Sequence, residues 1–275
     1  MDLVVFDLDG TLLNQQQRIS DYTRDTLHRL GERHIAYTIA TGRTLHAARP
    51  CLTGHDFTLP HVYKNGVIIW DPRQSQYRHP NFLTAEEIDA VLHAFADQQM
   101  TPFVCTLEDN DQPAIYHPVI SDPMGEHLYG ELLRHHPEVP MRDLSALHDR
   151  SRITNISALG PQAAADAIGL RLVDMDHLVA YAGESIYNPG CAWMDIHHSA
   201  ASKGSALEVL KTELGFERII CFGDSDNDVS MFSLADESYA PANATDDIKS
   251  RATAVIGHHD QDGIARFLRE RFNLE

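Results

Sequence analysis

The sequence predicts an α/β protein, a Rossmann-like, doubly wound parallel sheet whose chain is interrupted by an inserted α+β unit. Three observations carry this expectation. Short, continuously apolar runs at 3–6 and 219–222 have the pattern of strands buried on both faces. Helical patterns alternate with such runs near both ends of the chain. The middle mixes short strand-like pieces and helices in a less regular order.

Taken in order, the run at 3–6 predicts the first strand, closed by a polar turn. Ser20 is placed to cap a helix carrying Leu27 and Leu30, with Gly31 placed to end it. Residues 35–40 predict a second strand and 44–52 a helix. Val62, Tyr63 and the stretch 67–70 flank Lys64-Asn65-Gly66, a hairpin signal. After Pro80 a helix is expected over 84–96, then strand-like pieces at 102–106, 114–116, 153–158 and 177–181. Helices around 124–134 and 161–172 lie between them. This inserted unit is expected at 81–188, between core segments 1–80 and 189–275. In the second core segment Ser202 caps a helix with Leu207, Leu210 and Leu214 on one face, and strands are expected at 219–222 and 254–256.

Composition sets limits on function. The 275 residues fit about two domains, and 43% hydrophobic content allows a substantial core. No apolar run reaches the ~20 residues needed to span a bilayer, and the acidic start Met1-Asp2 does not resemble a secretory signal. The net charge of -18 argues against nucleic acid and anionic membrane as partners. Cys51, Cys105, Cys191 and Cys221 form no C-x-x-C pair, so buried, reduced thiols of a cytoplasmic protein are expected. The adjacent pairs His135-His136, His197-His198 and His258-His259 cannot each face one metal, and surface positions are expected for them.

The chemistry gathers at the ends of the apolar runs, where ligands bind in open α/β sheets. Asp7-Leu8-Asp9-Gly10-Thr11-Leu12 places two carboxylates two residues apart, with Gly10 permitting a sharp exit. Such a pair suits a hard cation or a nucleophile with an acid/base partner, and also a plain polar turn. Gly223-Asp224-Ser225-Asp226-Asn227-Asp228 puts three acids and an amide in a second turn. So many carboxylates repel unless they share a cation, and the two turns together predict an oxygen-rich magnesium site. An EF-hand loop counted from Asp224 would need Glu at its twelfth position, which is Ala235. Thr41-Gly42-Arg43 offers a hydroxyl and backbone N–H groups at a helix start, an anion site. Ser202-Lys203-Gly204 places a lysine against the helix dipole, where only a compensating role for the acidic turns favours it.

As an ordered set, these four segments resemble the motifs of the haloacid dehalogenase-like hydrolases, and their spacing looks like that of the Cof-type phosphatases. Asn65-Gly66, Met231, Ala242-Asn243-Ala244, Ala252 and Asp262-Gly263-Ile264 add to the likeness. The stretch 194–202 departs from it, because a Glu-Ile and a Pro or Gly are more usual there, and His258-His259 stands where an Asn is frequent. The resemblance implies that Asp7 is a nucleophile forming an aspartyl-phosphate. It implies that Asp9 is the general acid and base and gives only its backbone carbonyl to the metal. Asp7, Asp9 and Asp224 would then hold Mg²⁺, with Asp228 orienting them. Leu8, Thr41, Gly42, Lys203 and Asn227 would hold phosphoryl oxygens, and Arg43 and Lys64 are candidates for substrate contact.

The expected reaction is hydrolysis of a small phosphorylated metabolite such as a sugar phosphate, by a monomer or small homo-oligomer. Its inserted unit, the cap, would close over the site and choose the substrate. A phosphomutase or phosphotransferase would use the same intermediate, and a non-catalytic phospho-ligand sensor is a further alternative. A glycosidase fits poorly, because its carboxyl groups stand ~5–10 Å apart, whereas Asp7 and Asp9 share one turn.

Overall fold

The computed structural model describes residues 1–78, 81–108, 112–185 and 188–275, the side chain of His135 excepted. Pro80, beside the first expected boundary, lies outside these residues. The chain forms two compact units, Met1–His79 with Ala201–Glu275, and Pro80–Ala200.

In the first segment of the core unit, β1 (Asp2–Phe6) leads through a turn at Leu8–Leu12 to α1 (Asp21–Glu32), β2 (Ala36–Ile39) and α2 (Leu45–Leu52). Ser20 caps α1 by accepting the Thr23 N–H, and Thr44 caps α2 by accepting that of Ala47. Gly31 does not end α1. The helix runs on to Glu32, and the left-handed residue that turns the chain is His34. The hairpin signal at 64–66 is realised as β3 (His61–Tyr63) and β4 (Ile68–Asp71), which pair antiparallel, with β5 (Gln76–Arg78) added to their edge.

The inserted unit contains α3 (Ala85–Asp97), β6 (Phe103–Leu107), β7 (Pro113–His117), α4 (Pro123–His135) and β8 (Met141–Asp143). It continues with β9 (Ile153–Pro161), α5 (Gln162–Leu172), β10 (Leu178–Glu184) and β11 (Cys191–His198). Its six strands form one sheet in the order β10-β11-β9-β6-β7-β8. The expected boundary at 189 separates β11 from its partners, because β11 pairs antiparallel with both β9 and β10. Ala192, Met194 and Ile196 join the apolar cluster beneath α3 and α5, so the compact units divide at 200/201.

The chain then completes the core with α6 (Lys203–Leu214), β12 (Arg218–Phe222) and α7 (Val229–Leu234). After these come β13 (Glu237–Pro241), α8 (Asp246–Arg251), β14 (Ala254–Ile256) and α9 (Gly263–Phe272). The core sheet has the order β14-β13-β12-β1-β2, and every pairing in it is parallel. One face, with Leu3, Val5, Ile219 and Cys221, packs on Leu207 and Leu210 of α6, Met231 of α7 and Ile248 of α8. On the other face Phe6 and Phe222 stack, and Phe267 of α9 meets Phe222 and Tyr239. Alternation along each strand therefore supplies both buried faces of a doubly wound sheet.

Two surface expectations need correction. His197 is fully buried on β11, not a surface residue; it sits on the strand face opposite the apolar cluster, where its ring packs beside that of Tyr181 on β10. The four cysteines are free, but only Cys221 is buried; Cys51, Cys105 and Cys191 are partly exposed. No helix of the described residues is long and apolar enough to cross a membrane.

Candidate active site

Parallel register brings three of the four motifs together. Phe6 pairs with Phe222, and the Asp7 N–H donates to the Phe222 carbonyl at 2.9 Å, which sets Asp7 beside Gly223 and Asp224. The Ala40 N–H donates to the Phe6 carbonyl at 2.9 Å, which sets Thr41 on the other side of Asp7. All three turns thus leave the carboxyl ends of adjacent strands, the expected ligand edge.

The fourth motif arrives through α6. Ser202 caps this helix by accepting the Ser205 N–H at 2.9 Å, and Lys203 is its first residue. The Lys203 ammonium is 0% exposed and donates to Asp7 Oδ1 and Asp228 Oδ1, each at 2.6 Å. A buried ammonium is tolerated when it is paired in this way. Burial alone would lower the Lys203 pKa; the charges of Asp228 and Asp7 overcome that and hold it above the ordinary lysine value.

Asp228 is also fully buried. Its second oxygen, Oδ2, accepts the backbone N–H groups of Asp224 at 2.8 Å and Ser225 at 3.0 Å. Both carboxylate oxygens are therefore engaged, and the residue can orient the site better than it can ligate a metal. Gly223 makes room for it, since a Cβ there would lie 2.4 Å from Asp228 Cγ. Asp224 Oδ1 accepts the Thr11 hydroxyl at 2.9 Å. Gly10 has φ of +69°, and a Cβ on it would lie 2.3 Å from Asp224 Oδ2, so glycine is required both for the turn and for the approach of the two loops.

One carboxylate oxygen from each of Asp7, Asp224 and Asp228 lies within 4.8 Å of the other two. Lys203 is the one ammonium bonded to this group among the described residues, so the fully ionised group carries two negative charges in excess. Burial, and then the charges of Asp228 and Asp224, push Asp7 well above the usual carboxylate range despite the lowering pull of Lys203. Burial and the Asp228 charge raise Asp224 to about 6, against the Thr11 hydrogen bond. Oδ2 of Asp7 and Oδ2 of Asp224 accept no hydrogen bond among the described residues. A hard divalent cation fits this donor set, since two carboxylate oxygens stand ready and its charge matches the excess.

The remaining motif residues surround this group. Thr41 is buried; its oxygen accepts the Arg43 N–H at 3.1 Å, which leaves the hydroxyl proton to donate. Gly42 lies against Asn65, whose Oδ1 would sit 3.1 Å from an added Cβ. The Asn227 amide is fixed at both ends. Its Nδ2 donates to Asn65 Oδ1 at 2.9 Å, and its Oδ1 accepts the Ser225 hydroxyl at 2.8 Å. Leu8 is buried at the start of the first turn. The side chain of Asp9 stands outside the acidic cluster and pairs with Arg43, Nη2 to Oδ1 at 2.5 Å and Nε to Oδ2 at 2.7 Å. Lys64 is buried in a left-handed turn, and its N–H donates to the Arg43 carbonyl at 3.0 Å.

Three supporting residues acquire a structural role that their motifs did not reveal. Thr11 holds Asp224, Asn65 holds Asn227, and Asn243 Nδ2 donates to the Gly10 carbonyl at 2.7 Å. Asn243 Oδ1 in turn accepts the His259 N–H at 3.1 Å. Asn65 and Asn243 fall within the matching segments quoted above, which is the signal that could have marked them.

The haloacid dehalogenase-like hydrolase family matches residues 4–268, and the chain belongs to that family. It is 27% identical over 280 residues to 5-amino-6-(5-phospho-D-ribitylamino)uracil phosphatase YitU of Bacillus subtilis, covering 99% of this chain and 98% of the relative. It is 28% identical over 280 residues to the HMP-PP phosphatase of Serratia proteamaculans, covering 97% and 93%. A solved haloacid dehalogenase-like hydrolase from B. subtilis superposes with a TM-score of 0.77 at 22% identity, covering 98% of this chain and 99% of that one, which shows a common fold.

Proposed function

We propose that this hydrolase is a magnesium-dependent phosphatase of small phosphorylated metabolites, acting through an aspartyl-phosphate on Asp7. The observation that carries the reading is the buried group of Asp7, Asp224, Asp228 and Lys203 at the carboxyl edge of a parallel sheet. The names of the two curated relatives, both phosphatases, support it.

Each residue has a task that its surroundings suit. Lys203 holds Asp7 Oδ1, which leaves Oδ2 as the other carboxylate oxygen of this side chain. One Asp7 oxygen attacks phosphorus while the ester P–O bond breaks, and the leaving oxygen takes a proton from Asp9. Water then gives a proton to Asp9 as its oxygen attacks the same phosphorus, and the bond to Asp7 breaks. Thr41 through its free hydroxyl proton, Lys203 through its third N–H, the Asn227 amide and the N–H groups of Leu8 and Gly42 hold the phosphoryl oxygens. Asp7 and Asp224 through their carboxylates, and Asp9 through its backbone carbonyl, would hold Mg²⁺, with Asp228 orienting them. Bound magnesium would neutralise phosphate charge and let a carboxylate approach an anion. That local positive charge answers the overall net charge of -18. The inserted unit is where substrate choice is proposed to reside.

The test is a screen of phosphorylated metabolites with magnesium present, reading free phosphate. Release from at least one small phosphomonoester is expected, lost on chelation and restored by added magnesium. Turnover that ignores chelation would refute the metal assignment.

A further inference from the structure

We propose that Arg43 is a positioning residue, whose guanidinium aims the Asp9 carboxylate at the leaving-group oxygen. The inference rests on the phosphatase reading and deepens it. Asp9 is the half-exposed member of the site, with a side chain 52% accessible. Among the described residues its carboxylate makes no hydrogen bond except to Arg43. A carboxylate on a kinked, solvent-facing turn would otherwise sample several rotamers, and proton transfer needs one of them.

Arg43 supplies the constraint because it is itself held. Nε and Nη2 form a two-pronged fork on Asp9 at 2.7 and 2.5 Å. Nη1 donates to the Ala47 carbonyl and to Cys51 Sγ, both at 3.2 Å. Four of its five N–H groups are thereby used, two of them on the first and last turns of α2. The backbone is pinned as well, since the Arg43 N–H donates to Thr41 Oγ1 and its carbonyl accepts the Lys64 N–H. The fork fixes both the distance and the plane of the carboxyl group, which an ammonium cannot do. It takes one lone pair on each oxygen, so the proton that passes to the leaving oxygen is carried on a remaining lone pair of Asp9. Arg43 thus reaches the reaction through Asp9 rather than by gripping phosphate.

A positioned proton donor matters most when the leaving group is a poor one. Steady-state kcat and KM are therefore measured for wild type, Arg43→Ala and Arg43→Lys on two esters. One is the fastest alkyl phosphate from the metabolite screen, and the other is p-nitrophenyl phosphate, whose leaving group needs little protonation. The expected result is a fall in kcat on the alkyl ester that exceeds the fall on the aryl ester by about tenfold or more in both variants, with KM little changed. An equal fall on both esters, or a rise confined to KM, would overturn the proposal and make Arg43 a phosphate or substrate contact. Restoration of the alkyl-to-aryl ratio by Arg43→Lys would also overturn it, since charge without the fork would then suffice. The lysine variant keeps the test decisive if the alanine variant does not fold. Absence of phosphate release from either ester by the wild type would remove the phosphatase reading, and this inference with it.

Discussion

Asp228 carries a larger structural load than its place at the end of a motif implies. It neutralises a fully buried ammonium with one oxygen and closes the second acidic turn with the other. Removing it strands Lys203 beside fewer charges and frees two backbone donors, so Asp228→Ala should cost ~3–5 kcal/mol. Urea unfolding would check this, and a loss below ~1 kcal/mol would mean the pair behaves like an exposed one. At this scale the sequence was legible wherever identity and order sufficed. Asp7, Thr41, Lys203 and Asp224 are named by their motifs and meet in the structure. The bond between Asp9 and Arg43 was not legible, because it joins side chains 34 residues apart through rotamers that no pattern encodes. The buried state of His197 was hidden for a similar reason, since alternation sets it on the polar face of β11 and its cover includes Tyr181 of the neighbouring strand β10.

Among elements, α6 links stability to chemistry. Its cap, Ser202, and its first residue, Lys203, are neighbours, so the hydrogen bond that starts the helix also sets the base of the buried lysine that pairs with Asp7 and Asp228. Ser202→Ala should lower stability by about 1 kcal/mol and reduce turnover as well. Thermal unfolding and phosphate release would check the pair of effects, and an unchanged melting temperature would contradict the role of the cap. Strands β1 and β12 were readable because each holds a continuous apolar run, as strands buried on both faces do, and β2 because Thr38 is the one break in its apolar stretch. By contrast β13, with the sequence ESYAP, carries Glu and Pro and has no apolar run to announce it. Strand β11 does alternate, Ala192, Met194 and Ile196 against Trp193, Asp195 and His197, but polar residues on its second face weaken the signal. This is why the second boundary was expected about a dozen residues early.

For the whole molecule, acid should be the limiting condition. His61 is buried beside the core sheet, with Nδ1 2.9 Å from the Tyr63 hydroxyl and Nε2 3.2 Å from the Phe57 carbonyl. Those partners suit a neutral ring with its proton on Nε2. Burial lowers its pKa to about 4, from an ordinary 6.5. The unfolded chain therefore binds the proton first as pH falls, so stability is kept above about 6.5 and declines toward pH 4. The full loss is about 3 kcal/mol. Denaturant unfolding of wild type and His61→Gln across this window should show a steeper decline in the wild type, and parallel curves would contradict the assignment. The division into two units was legible as a change of pattern along the chain, and five parallel strands give the core its ligand edge.

The proposed attack by Asp7 can be observed on the protein itself. Wild-type enzyme turning over a phosphomonoester with magnesium is quenched in acid, digested, and weighed by mass spectrometry. The peptide containing Asp7 should carry one phosphoryl group, and the same peptide from Asp7→Asn should carry none. Rapid turnover with no phosphoryl on that peptide, or phosphoryl retained in Asp7→Asn, would contradict the account.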